Sequence, residues 1–242
     1  MVVIWGKPTL SAYLWLNQQT NGPRCLYPRK FRKTFGLIPV IEAGFVQNWL
    51  SNASDLGEGE YFQAAELRNL LKENALHWNE QELSLHFIGP MFSIVHFTIV
   101  TKMNLFAQRF ISAEVPDRNG NLILLSGKPD GVLASGYRGP EIPYFALQEY
   151  KRDIDHPDGD PGGQCLAAML AGQTLNGNIS QPMHGYYVVG QNWYFLMLLG
   201  KDYAISAAYS AVTDEVFYIL GLLKTLKIRV SAMIDEKAAA QR

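Results

Sequence analysis

Two short segments carry residues that could do chemistry together: Lys128-Pro129-Asp130-Gly131 and Leu147-Gln148-Glu149-Tyr150-Lys151. A Pro-Asp pair opens one apolar run and a Glu-x-Lys closes the next. Between them, Gly136-Tyr137-Arg138-Gly139-Pro140-Glu141 is rich in turn formers. The spacing predicts an antiparallel hairpin whose pairing axis falls near Gly139-Pro140. That register sets Asp130 opposite Glu149. Side chains alternate along a strand, so Glu149 and Lys151 share a face while Gln148 and Tyr150 take the other. Two carboxylates and an ammonium on one spot suit metal-assisted phosphodiester hydrolysis, which needs oxygen ligands for a hard divalent cation and a nearby positive charge.

The elements that must position these groups follow from the apolar periodicity. Tyr61 to Asn74 reads as a helix. Asn79 reads as an N-cap with Glu80 and Glu82 in the first turn, and Leu83, Phe87, Met91 and Val95 form a stripe that Pro90 kinks or splits. Three strands are expected at Leu105 to Val115, Leu122 to Leu133 (bent near Gly127) and Pro143 to Lys151. Asp160-Pro161-Gly162-Gly163 opens a helix through Ala171. Gly185 to Gly190 and Trp193 to Leu199 are further strands, Asp202 to Ser210 is ambiguous between classes, and Thr213 to Ile228 is a helix. Two units are expected: residues 1–75 as a mostly helical extension and 76–242 as the main domain.

A net charge of −1 over 242 residues gives no global attraction to nucleic acid, so any such affinity must come from local patches. The basic run Arg24, Arg29, Lys30, Arg32 and Lys33, interleaved with Tyr27 and Phe31, is such a patch, with a solvated surface as its plainer reading. Cys25 and Cys165 stand far apart without a CxxC pair, which argues against a disulfide framework or zinc site. The five histidines show no metal-ligand spacing and read as structural or surface, with His156 in the 153–160 loop the best outside candidate, and Trp193, Tyr194 and Phe195 read as core rather than as a base-stacking platform. Met1 to Leu16 is broken by Lys7-Pro8 and lacks the features of an export signal. No apolar run reaches the roughly 18 residues of a membrane span. A cytoplasmic protein without a membrane partner is expected.

Pro129-Asp130 and Glu149-Tyr150-Lys151 resemble the two halves of the PD-(D/E)XK nuclease signature, and the order helix, three strands, helix, strand over roughly Asn79 to Gly190 resembles that superfamily's αβββαβ core. The resemblance implies an α/β (α+β, mixed-sheet) restriction-endonuclease-like fold with N- and C-terminal helical elaborations, in a small standalone prokaryotic member. It implies that Asp130, Glu149 and the carbonyl of Tyr150 bind Mg²⁺ or Mn²⁺, that Lys151 acts on the reacting phosphate or water, and that DNA is the partner and substrate. Glu80 fits the carboxylate that many relatives place at the start of the first core helix, with Glu82 as second choice. Gln164 fits the glutamine that opens the helix after Glu-x-Lys. A homo-oligomer is compatible with this reading. The alternative is a catalytically silent nuclease-fold module that binds nucleic acid or a protein partner. These residues also have plainer readings: Asp130 as a turn aspartate, Lys151-Arg152 as a charged strand edge, Glu80 as a helix-start carboxylate and Gln164 as a polar residue at a helix N-terminus.

Overall fold

A computed structural model describes residues 2–5, 28–41, 44–100, 102–151 and 160–240, with the backbone alone at 2–5, 28–30, 147, 151 and 237–240. Arg24, Cys25 and His156, and the side chains of Arg29, Lys30 and Lys151, lie outside the described residues.

The described residues form a mixed α/β fold. Its main sheet is eight-stranded and mixed, in the order β2-β10-β9-β8-β7-β6-β3, with β11 on β9. These strands are β2 (Ile38–Pro39), β3 (Asn104–Ala107), β6 (Gly131–Ser135), β7 (Glu141–Lys151), β8 (Met183–Val189), β9 (Asn192–Leu199), β10 (Asp202–Ile205) and β11 (Tyr209–Ser210). Pairing is antiparallel from β3 through β6 to β7, and parallel from β7 to β8. A smaller sheet of β1 (Val2–Trp5), β4 (Ile111–Pro116) and β5 (Leu122–Gly127) stands apart.

Period-two alternation splits the main sheet's side chains between two cores. Leu133, Tyr150, Tyr186, Val188 and Phe195 belong to one. It is covered by α2 (Gly44–Leu50), α3 (Glu58–Asn74), α4 (Glu80–Leu83), α5 (Gly89–Val95) and α7 (Glu215–Ala240). Val132, Ala134, Tyr144, Leu196 and Leu198 belong to the other. There α6 (Pro161–Asn176) lies between the main sheet and the β4–β5 hairpin. Its run from Cys165 to Ala171 is apolar on every side because it is buried on every side. Phe31 and Phe35 of α1 (Pro28–Phe35) join this second core.

Several elements differ from the sequence expectation. The run 105–115 is two strands in different sheets, broken where Gln108 takes a positive φ of 49°. The run 122–133 is likewise divided between the two sheets. Pro129 has no N–H to offer a ladder, so β5 stops ahead of it and β6 starts after it. Pro90 sits in the first turn of α5, behind an interruption of the regular α-helix. The residues Ser84–Ile88 between α4 and α5 form a π-helical turn, which absorbs the proline's missing donor and its clash with the preceding turn. Asp202 to Ser210 resolves into two strands, and the last helix runs past Ile228 to Ala240.

The stretch 51–57 is pinned to α7. Ser54 N–H donates to the Gly221 carbonyl at 3.1 Å, and a Cβ on Gly221 would stand 2.7 Å from the Ser54 oxygen. No helix of the described residues is long and apolar enough to cross a membrane.

Candidate active site

The β6–β7 hairpin opposes Gly131 to Gln148, so Asp130 falls opposite Glu149 one step further on. The loop end does not follow the same register: shifts between Leu133 and Ala134 and between Ala134 and Ser135 pair Ser135 with Glu141. The bulge changes the turn and leaves the Asp130 end on the axis that the spacing predicts.

Asp130 is held by the strand that bears Glu149. Its Oδ2 accepts the backbone N–H of Tyr150 at 2.8 Å, and its carbonyl accepts the N–H of Gln108 at 3.2 Å. Glu149 is only 2% exposed and sits on the α6 side of the sheet, where its charge reaches the Cys165 thiol. Burial above all, then the nearby carboxylates of Glu149 and Asp160, push that thiol well up, the direction that disfavours the reactive thiolate.

Tyr150 points into the opposite core. Burial first, then Asp130, pushes its hydroxyl well up, and it donates to Gln148 Oε1. Gln148 is fully buried and lies against Gly131: a Cβ there would meet the Gln148 Oε1 at 2.1 Å and its Cδ at 2.7 Å. The glycine after Pro-Asp is therefore the seat of the Gln148 amide.

The other expected site residues divide. Asn79 caps α4 through a full capping box, with Glu82 Oε2 accepting the Asn79 N–H at 2.7 Å. That commits the Glu82 carboxylate to the cap. Glu80, half-buried, occupies the first helical position. Gln164 stands in the first turns of α6, and its Oε1 is buried with no hydrogen-bond partner. Among the described residues, no three His, Cys, Asp or Glu side chains gather as a metal-binding group. The carboxylates tied by the hairpin are Asp130 and Glu149. Together with a backbone carbonyl such as that of Tyr150, two carboxylates would offer only oxygen donors, the type a hard divalent cation takes. The backbone of Lys151 closes β7 opposite Val189.

Sequence reasoning gave Gln148 and Tyr187 no part beside Glu149, and placed Asp160 at the opening of α6 without naming it as the cap. Tyr187 pairs in register with Glu149 and stacks on Tyr194, ring centroids 4.5 Å apart. Asp160 caps α6, its Oδ2 accepting the Gly163 N–H at 2.7 Å. The Asp-Pro-Gly-Gly opening was the signal for that cap. His184 is fully buried against Trp49, with neither ring nitrogen hydrogen-bonded.

Compared with family models and with curated proteins, the chain matches none.

Proposed function

We propose that the protein is a divalent-metal-dependent nuclease that hydrolyses phosphodiester bonds in DNA, built on a restriction-endonuclease-like αβββαβ core. The observation that carries this reading is the hydrogen bond from Tyr150 N–H to Asp130 Oδ2, which ties the Asp carboxylate to the Glu-x-Lys strand. The order of the main-sheet elements supports it: the helical segment from Glu80 to Val95, antiparallel β3-β6-β7, then α6 leading to parallel β8. The β4–β5 hairpin is an insertion within that order.

Asp130, Glu149 and the Tyr150 carbonyl would hold Mg²⁺ or Mn²⁺, with Glu80 as a further carboxylate from the first core helix. When bound, the ion supplies Lewis-acid charge at the phosphate and lowers the pKa of water. Lys151, two residues past Glu149, donates a hydrogen bond to the attacking water or to the phosphate oxygen on which charge grows. The burial of Glu149 lowers the local dielectric, which strengthens each of these electrostatic contacts. The Gln164 amide orients the phosphate from the start of α6.

Incubation of the full-length protein with linear, circular and single-stranded DNA, with Mg²⁺ and with EDTA, tests this reading. Cleavage that needs the cation is the expected result. Intact DNA under all conditions would remove it.

A further inference from the structure

An open pocket of about 220 Å³ lies between α1, the first turn of α6 and β10. Its walls are largely apolar and aromatic: Phe31, Leu166, Tyr187, Tyr203 and Ile205. Two charged groups of opposite sign also line it, Arg32 and Asp160. Arg32 is fixed there by Tyr203, which is 4% exposed and whose hydroxyl accepts from Arg32 Nη1 at 2.7 Å. Asp160 is anchored by the Gly163 N–H, and burial pushes its carboxyl up against the opposing pull of that cap and of the Arg32 charge. A carboxylate has about four lone-pair sites, so Asp160 keeps acceptor capacity beyond its cap.

The contents of this pocket select its ligand. A lone phosphate is disfavoured, because the Asp160 carboxylate repels it and already occupies the amide end of α6. A flat heterocycle with donors on one edge and acceptors on another satisfies both charges and the apolar walls. The volume falls below the roughly 300–1,000 Å³ of pockets that enclose drug-sized ligands, which suits a single base. The pocket also adjoins the candidate active site. Tyr187 lines it and is the register partner of Glu149 on the neighbouring strand, and adjacent strands lie about 4.8 Å apart.

We propose that this pocket is a nucleobase subsite that reads guanine, Asp160 accepting from its N1–H and N2–H edge and Arg32 donating to its O6/N7 edge. Arginine donation to O6 and N7 is the commonest specific contact to this base. The subsite's part in DNA recognition rests on the nuclease reading, whereas its affinity for the base does not.

The test is calorimetric titration of the full-length protein with guanosine, adenosine and cytidine in EDTA, with inorganic phosphate as competitor. Guanosine is expected to bind at least tenfold more tightly than the other two, undisturbed by phosphate. Asp160→Asn keeps a good helix cap but exchanges acceptor for donor. It should lose guanosine at least tenfold and gain xanthosine, whose C2 carbonyl replaces the amino group. Tyr203→Phe frees Arg32 and should also weaken guanosine. Equal binding of all three nucleosides, displacement of guanosine by phosphate, or an Asp160→Asn variant with unchanged preference would overturn the proposal. Guanosine binding by a protein that leaves DNA intact would keep the subsite and remove the nuclease reading. Cleavage without guanosine binding would do the reverse.

Discussion

Asp130 and Tyr150 are joined side chain to backbone, the carboxylate accepting the Tyr150 N–H at 2.8 Å. The bond has a structural role separable from charge. Asp130→Asn retains an acceptor, whereas Asp130→Ala leaves a partly buried N–H without one, at a net cost of about 1 kcal/mol. Denaturant melts should therefore rank Ala below Asn in stability. Equal stabilities would mean that this hydrogen bond contributes nothing to the fold.

Gly131 and Gln148 form a second coupled pair. A methyl group at Gly131 collides with the Gln148 amide, which cannot swing away because it is buried and accepts from Tyr150. Gly131→Ala should cost about 1–3 kcal/mol, in the range of overpacked cores. In a Gln148→Ala background most of that penalty should vanish. A double-mutant cycle measures the coupling, and additive penalties would refute the contact.

These two pairs also mark what the sequence makes legible. Asp130 faces Glu149 because turn residues and a period of two are local signals, and they suffice to set a register. The break at Pro129 was not legible as a change of sheet. Both flanking runs are apolar, and which sheet each joins depends on distant partners such as β1 and β7. The bulge in β6–β7 left no trace in the pattern, since it alters the turn and spares the site end. Glu80 and Glu82 differ by two positions, and the capping box distinguishes them: Glu82 turns back to Asn79. The Arg32–Tyr203 contact joins residues 171 positions apart, beyond the reach of any local pattern.

His184 predicts the acid limb of stability. Burial, with Arg229's charge second, pushes its imidazole down to about 3 from 6.5. The unfolded chain takes up a proton near 6.5 that the folded chain refuses, so stability falls as pH drops from there toward 3. The slope from this one group approaches about 1.4 kcal/mol per pH unit. His184→Met should flatten urea midpoints between about pH 6.5 and 5, above the range where most carboxylates titrate. An unchanged slope would assign the acid sensitivity elsewhere.

The basic run at α1 predicts a salt effect. If Arg29, Lys30 and Lys33 neutralise phosphates, their reversal to Glu should weaken DNA binding equally across sequences. The dependence of log K on log salt should flatten by about 0.9 for each phosphate that is no longer neutralised. Filter binding from about 50 to 200 mM salt measures this, and an unaltered slope would leave the run as solvated surface.

If the hairpin assembles a metal-dependent phosphodiesterase, single-turnover DNA cleavage by wild type, Glu149→Gln and Lys151→Ala will show it, with Mn²⁺ affinity measured alongside. Wild type should cut only with the cation, and both variants should cut at least roughly 100-fold more slowly. Mn²⁺ affinity should survive in Lys151→Ala and fall in Glu149→Gln, because the carboxylate holds the ion and the lysine acts on the reaction. A wild-type protein that leaves DNA intact, or a Lys151→Ala variant that cuts at the wild-type rate, would contradict it.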